Sequence, residues 1–220
     1  MISSRLAILL SFVAFTAAVQ AEDKVALKLE LPRPLFAGTP RPIQVPNIEK
    51  PRVGKRPDLL VPPGTVLLSK GKPVTSSDPL PVIGELTFIT DGDKTGTDGT
   101  YVELGPEPQW VQIDLGAPAK LAAVVVWHFH AQARVYHDVI VQVANDPEFK
   151  KDVRTLYNND DDNSAKQGKG PDPSYIETFE GRLIDAQGVT GRYVRLTSNG
   201  NTSDELNHYV EVEVHGTPAK

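Results

Sequence analysis

Trp110–Gly116, with the sequence WVQIDLG, is the most informative stretch for the fold class. Val111, Ile113 and Leu115 alternate with other side chains, which is the period of a β-strand with one buried face. Leu121–Phe129 is apolar almost throughout and rich in valine. We therefore expect a half-buried strand followed by a central strand that is buried on both faces.

Further strands are predicted on both sides of this region, with turn signals between them. The predicted strands are Val139–Val143, Tyr193–Leu196 and Tyr209–Val214. The turn signals are Asp91-Gly92, Asp98-Gly99, Leu115–Pro118 and Asn199-Gly200. No long stretch has a convincing helical period, so the pattern predicts an all-β sandwich.

The N-terminus has the features of a secretory signal peptide over residues 1–21. Arg5 precedes an apolar run, Leu6–Val19, and Ala21 supplies a small residue before a cleavage point at Glu22. The alternative is a membrane anchor, but the run is shorter than the roughly 20 residues that a spanning helix needs. We expect a protein that is secreted, periplasmic or at the cell surface, with no membrane insertion after cleavage.

Residues 22–66 form a proline-rich segment that differs in composition from the rest of the chain. Proline lacks the N–H that helices and sheets use, so an extended arm or linker is expected here. The segment also carries many apolar residues, so part of it is expected to pack along the folded domain. That domain is assigned to residues 67–218.

Composition excludes some classes of partner and of covalent chemistry. The chain has no cysteine, so its stability must come from its core, and neither a disulfide nor a lipid attached to cysteine is available. The formal net charge is −5, with both signs interspersed. Nucleic-acid binding and a polybasic membrane patch are therefore not expected.

Five segments resemble, in the same order, motifs of the discoidin (F5/8 type C) family, which is galactose-binding-like. They are Leu68–Ser77, Ile89–Asp93, Trp110–Gly116, Arg192–Leu196 and Val210–Gly216. The WVQIDLG match is the most specific one. The resemblance spans residues 67–216 and implies a jelly-roll β-sandwich, preceded here by the proline-rich arm.

The resemblance also implies a structural Ca²⁺ ion at the Asp-Gly-Asp turn. Carried over to this chain, the ligands are Asp91, Asp93 and Glu211, with Thr95 beside them. Gly96 stands where the family has a threonine, so the loop departs from the family pattern. The alternative is a plain turn with a solvated glutamate.

Related carbohydrate-binding modules imply a ligand site in the loops at one end of the sandwich. The candidates between two predicted strands are His128, His130, Arg134, Tyr136 and His137. Arginine and histidine can bond sugar hydroxyls, and an aromatic ring can stack on a sugar face. The alternatives are side chains satisfied within the protein, or a transition-metal site based on His-x-His.

The loop before the closing strand supplies a second group of candidates, rich in amides. They are Asn199, Asn201, Asn207 and His208. The alternative is a polar turn whose side chains cap its own backbone. A third polar stretch, Asn158–Ser164, lacks the glycine and glutamate of an EF-hand loop and is predicted to be a mobile acidic loop.

The sequence contains none of the common enzyme signatures, so we predict no catalytic activity. The predicted function is a secreted binding module for a glycan or surface polysaccharide. The first alternative is an adhesion or assembly module that binds another protein, and the second is a glycan-active enzyme.

Overall fold

The computed structural model describes residues 23–38 and 42–218. The predicted signal peptide lies outside these residues. Within them, no helix has the length and apolar character needed to cross a membrane.

Twelve strands and one 3₁₀ helix make up the described part of the chain. The strands are β1 (Val25–Ala26), β2 (Leu60–Val61), β3 (Val66–Leu67), β4 (Val74–Ser76), β5 (Val102–Leu104), β6 (Gln109–Trp127), β7 (Ile140–Ala144), β8 (Arg154–Asn158), β9 (Arg182–Asp185), β10 (Thr190–Ser198), β11 (Asn207–Tyr209) and β12 (Glu211–Pro218). The 3₁₀ helix spans Leu86–Thr90. The all-β prediction is confirmed.

The 19-residue strand β6 organises the main sheet, whose order is β3-β12-β6-β10-β7-β8. The first half of β6 pairs with β4 and β10, and the second half pairs with β9 and β12, in each case antiparallel. A smaller sheet consists of β5 and β11. The topology is that of a jelly-roll sandwich, in which β6 takes part in both layers.

The turn predicted at Leu115–Pro118 is wrong, because β6 continues through it. Gly116 has φ 88°, which a side-chain-bearing residue rarely adopts, and its N–H donates to Asp114 Oδ1 at 2.8 Å. These features kink the strand locally without ending it.

The second half of β6 is buried on both faces, as its apolar sequence predicts. Val124 and Val126 pack in the main core between the sheets. Val125 and Trp127 pack in a second apolar cluster, and Leu29 from the proline-rich segment lies against that cluster. Leu29 therefore shares the cover of this outer face with Tyr101, Phe129, Leu183 and Val210 of the sandwich.

The segment over residues 23–38 and 42–66, called the arm below, runs along the sandwich. β1 pairs with β2 within it. Further along, Ile48 bridges to Ser174, and Arg182 donates to Glu49 at 2.7 Å. Proline lacks the N–H that a ladder uses, so the ladders of the arm are short, and other contacts with the sandwich are side-chain bonds and isolated bridges.

Candidate functional site

The predicted ligand residues lie close together, but most of them are buried. The buried ones are His128, His130, Arg134, Tyr136, Asn201, Asn207 and His208. His137 and Asn199 are half-buried. A direct contact with a sugar is therefore possible mainly for His137 and Asn199.

His128 forms a buried pair with a residue that the sequence analysis missed. Its Nδ1 lies 2.6 Å from Glu177 Oε1, and both side chains are fully buried. The His128 ring stacks on Tyr136 at a centroid distance of 4.4 Å. Burial raises the pKa of Tyr136 well above its usual value. The rings stabilise each other and leave no free aromatic face for a sugar.

Arg134 and His208 are also held by partners inside the protein. Arg134 lies over the Phe129 ring at 4.7 Å and donates to Asp204 Oδ2 at 3.3 Å. His208 Nε2 lies 2.9 Å from Glu103 Oε2. Burial lowers the pKa of His208 to about 4, so its ring is neutral at physiological pH. Arg134 thus positions the loop around Asp204.

The amides of Asn201 and Asn207 bond mainly to backbone. Asn207 Nδ2 donates to the carbonyls of Gly105 and Glu107 at 2.8 and 3.0 Å. Asn201 Nδ2 donates to the Leu206 carbonyl at 3.0 Å, and its Oδ1 accepts from Ser203 N–H at 2.9 Å. Asn201 thus caps the backbone of its own loop, as in the alternative, whereas Asn207 ties this loop to the loop after β5.

A concavity of about 270 Å³ lies where these loops meet. Its lining comprises Pro106, Glu107, His137, Asn199, Gly200, Asn201, Asp204 and Glu205. His137 is the one histidine of the five in the chain that is not buried. Asn199 Nδ2 donates to Asp138 at 2.7 Å, which fixes its amide with Oδ1 available. The concavity is polar and acidic.

The three acidic residues of this concavity, Glu107, Asp204 and Glu205, are not among the predicted ligand residues. Asp204 and Glu205 belong to the amide-rich loop, so their position beside Asn201 was a usable signal. Glu107 lies between two prolines with φ 66°, and nothing in its local pattern indicates a site. The polar pattern of the loop after β10 thus indicated a binding site, whereas the pattern of the loop after β5 did not.

The predicted cation turn faces a buried glutamate that lacks a full set of partners. Gly92 N–H donates to Glu211 Oε2 at 3.0 Å. Glu211 Oε1 is buried and has no hydrogen-bond partner among the described residues. Burial raises the pKa of this carboxyl to about 8. A cation at Oε1 would satisfy this oxygen and reverse that shift.

The aspartates of the turn fit a cation less fully than Glu211 does. Asp91 Oδ1 accepts from Asp93 N–H at 2.7 Å. Asp93 Oδ1 accepts from both the N–H and the hydroxyl of Thr95, at 2.9 and 2.7 Å. One carboxylate oxygen of each aspartate has no protein partner within the described residues. Within the described residues, however, the ligand atoms of Asp91, Asp93 and Glu211 do not all lie within 4.8 Å of one another, and the Thr95 hydroxyl already donates to Asp93.

Gly96, the departure from the family pattern, has a physical reason. Its φ is 67°, and a Cβ at this position would lie 2.7 Å from His130 Nε2. His130 is buried, and its Nε2 lies 2.9 Å from the Lys94 carbonyl oxygen. The ring of His130 occupies the space that a threonine side chain would need, so His130 shapes the cation turn.

A different acidic cluster has the tightest arrangement of ligand atoms. Within the part of the chain that the structure describes, only Asp138, Asp160 and Asp162 form a set of three acidic or histidine side chains with ligand atoms within 4.8 Å of one another. Asp160 accepts from the N–H groups of Asn163, Ser164 and Ala165. The loop predicted to be mobile is thus held by hydrogen bonds to a buried aspartate.

About half of the chain, within the sandwich, is similar to a known protein family. Residues 88–196 match the F5/F8 type C model described as a NedA-like, galactose-binding domain. Over these residues the sandwich matches an F5/8 type C-like galactose-binding domain. The match begins in the 3₁₀ helix and ends in β10, so the arm and β12 lie outside it. No curated protein matches the chain.

Solved structures agree with this fold. The family 32 carbohydrate-binding module of C. perfringens NanJ, in complex with galactose, is 8% identical, with 69% of this chain and 98% of that chain covered and a TM-score of 0.51. The family 89 glycoside hydrolase CpGH89 of Clostridium perfringens, in complex with GlcNAc-alpha-1,4-galactose, is 17% identical. The match covers 70% of this chain and 15% of that chain, with a TM-score of 0.52.

A truncated AlyQ with CBM32 and alginate lyase domains is also similar. It is 17% identical, with 71% of this chain and 34% of that chain covered and a TM-score of 0.51. The galactose-binding-like domain therefore has the fold of a carbohydrate-binding module, a fold that also occurs within larger enzymes.

Proposed function

We propose that this protein is an exported, non-catalytic module that binds a glycan through the concavity around His137 and Asn199. The observation that carries the proposal is the convergence of these two side chains with Asn201 at the loop end of the sandwich. Loops on a rigid sandwich are a common place for binding sites. The fold shared with galactose-bound NanJ is consistent with a sugar ligand.

The chemistry of the concavity suits a small group of hydroxyls. Amide and imidazole groups donate and accept, and the carboxylates of Glu107, Asp204 and Glu205 accept. Its volume of about 270 Å³ lies near the lower end of small-ligand pockets. No Phe, Tyr or Trp lines it within the described residues, so hydrogen bonds must supply most of the affinity.

The test is a glycan array with purified protein, followed by titration of one positive glycan. We expect His137→Ala to weaken binding about tenfold or more, since a hydrogen bond in a sugar site contributes on the order of 1–2 kcal/mol. Gln132→Ala, an exposed change in the preceding loop, is the matched control. A blank array with folded protein, or equal affinity for both variants, would remove the proposal.

One observation favours the alternative of a protein partner. Leu80, Val82 and Ile83 are 82%, 59% and 42% exposed on one loop, next to β5. Exposed apolar clusters commonly mark protein contacts. If the array is blank, Leu80→Ser combined with Val82→Ser is expected to abolish capture of a protein ligand, while His137→Ala leaves capture unchanged.

We also propose a structural Ca²⁺ at the Asp-Gly-Asp turn, with Glu211 as its principal side-chain ligand and Asp91 and Asp93 beside it. The buried, unpartnered Glu211 Oε1 supports this proposal. Carboxylates and turn carbonyls are the oxygens that Ca²⁺ prefers. Calcium should raise the melting temperature of the wild-type protein and leave that of Glu211→Gln unchanged.

A further inference from the structure

A second cleft, of about 580 Å³, lies between the arm and the segment 175–183. Phe36, Pro51 and Leu183 supply its apolar walls. Its volume is in the range of pockets that hold small organic ligands. The arm forms one side of the cleft, and the arm lies outside the residues that match the galactose-binding family.

Two ion pairs already cross the cleft. Arg52 pairs with Glu180, and Arg182 pairs with Glu49 at 2.7 Å. Arg182 is also fixed by its stacking on the ring of Tyr175 at 4.7 Å. These contacts hold the arm against the sandwich and preform the walls of the cleft.

Arg56 is the third arginine in the lining, and it lacks a carboxylate partner among the described residues. Its Nη1 donates to the carbonyls of Glu180 and Gly181, both at 2.9 Å. No acceptor for its Nε or Nη2 occurs in the described part of the chain. Burial lowers the pKa of Arg56, Glu180 raises it, and the neighbouring Arg52 and Arg182 lower it further. The cleft thus holds a partly buried cation that Glu180 stabilises without a direct ion pair in the described part of the chain.

Glu177, the third carboxylate in the lining, bonds His128 through Oε1, and its buried Oε2 has no partner among the described residues. Glu49 and Glu180 are paired with Arg182 and Arg52. Arg56 is the one guanidinium of the lining without an ion pair among the described residues, so an anion can bond its free N–H groups. Guanidinium binds a carboxylate with two parallel hydrogen bonds, which gives both affinity and orientation.

We propose that this arm cleft binds a small ring-shaped ligand that carries a carboxylate, of which an acidic sugar is the representative, and that Arg56 bonds one carboxylate of the ligand. The apolar walls formed by Phe36, Pro51 and Leu183 pack against the ring of the ligand. The site is separate from the acidic concavity around His137, which is proposed to bind sugar hydroxyls.

The experiment titrates purified protein with digalacturonate and, separately, with its methyl ester, by calorimetry at low salt. The fully esterified form adds one methyl group to each carboxylate and carries no charge. We expect digalacturonate to bind at least about tenfold more tightly than the ester. Benzoate tests whether a carboxylate on a non-sugar ring suffices: equal binding would assign the site to ring carboxylates in general.

Variants locate the site. Arg56→Gln should abolish the preference for the acid over the ester, and Arg56→Lys should retain part of it. Arg33→Gln, an exposed change in the arm with the same loss of charge, is the control and should bind like wild type. His137→Ala should not alter digalacturonate binding, which separates this site from the proposed glycan site.

Three results would overturn the proposal: no binding of digalacturonate at millimolar concentration, equal binding of acid and ester, or wild-type binding by Arg56→Gln. A melting curve for each variant shows whether it is folded. If Arg56→Gln fails to fold, Arg56→Lys and the ester comparison still decide the outcome.

Discussion

His128 and Glu177 form a hydrogen-bonded pair in which both side chains are fully buried. Removing one partner leaves the buried carboxylate or imidazole of the other without its hydrogen bond. We expect His128→Ala to lower the free energy of unfolding by about 3–5 kcal/mol, measured by urea denaturation.

Glu148→Gln is the matched control for this prediction. Glu148 pairs with Lys150 at an exposed position, and exposed pairs contribute about 0–1 kcal/mol. If His128→Ala changes the urea midpoint no more than Glu148→Gln does, the buried pair does not stabilise the fold.

Glu211 gives the apoprotein a pH-dependent stability with a defined sign. Its pKa is raised from 4.5 to about 8, chiefly by burial, and Glu213 and Asp91 raise it further while Gly92 N–H and Lys94 lower it. The folded state therefore holds this proton more tightly than the unfolded state does. Its contribution to stability is fully present below about pH 4.5 and is lost as the pH rises through about 8.

In a chelator, the wild-type urea midpoint should fall more between pH 5 and pH 8 than that of Glu211→Gln, which has no ionisable group at this position. Asp185→Asn, an exposed change on β9, should keep the wild-type slope. Calcium should restore much of the wild-type stability at pH 8. Parallel pH profiles for wild type and Glu211→Gln would contradict the role assigned to Glu211.

Residue types and loop positions were predictable from the sequence, but burial and pairing were not. His128 and Glu177 are 49 residues apart, and His208 and Glu103 are 105 apart. Such pairs depend on how the sheets stack, and a single sequence gives no direct information about that stacking. The candidates that remain half-buried, His137 and Asn199, could not be distinguished by pattern from their buried neighbours.

At the scale of elements, β6 shows what periodicity can and cannot predict. The alternation in Trp110–Gly116 and the apolar run after it correctly indicated one half-buried and one fully buried strand. Gly116 and Pro118 suggested a turn between them, yet the chain continues as one strand. The apolar run required a cover on its second face, and the pattern alone did not show that the arm contributes Leu29 to it.

Leu29 provides a direct test of that cover. It packs against the cluster that contains Trp127 and Val125. We expect Leu29→Ala to lower the free energy of unfolding by about 1–2 kcal/mol, less than for a fully buried leucine because Leu29 is only partly buried.

Leu31→Ala is the control for Leu29→Ala, since Leu31 lies in the same segment but is 43% exposed. Its urea midpoint should stay close to that of wild type. Equal effects of the two changes would mean that the arm does not contribute specific packing to the cluster around Trp127.

At the scale of the whole molecule, the arm and the sandwich share contacts at two places. The first is the cluster around Trp127, and the second is the set of ion pairs made by Arg52 and Arg182. A segment with shared core contacts unfolds with the domain that it covers, whereas a free linker does not. The two parts should therefore behave as one cooperative unit.

Tryptophan fluorescence can follow the arm interface separately from the sheets. The chain has two tryptophans, so Trp110→Phe leaves Trp127 as the only reporter beneath the arm. In urea, the fluorescence of Trp127 and the far-UV circular dichroism of this variant should change with coincident midpoints and equal slopes. A fluorescence transition at lower urea than the circular dichroism transition would show that the arm detaches first. In that case the arm would be an appendage, and the arm cleft would be open in part of the native population, which would weaken binding of digalacturonate in proportion to that fraction.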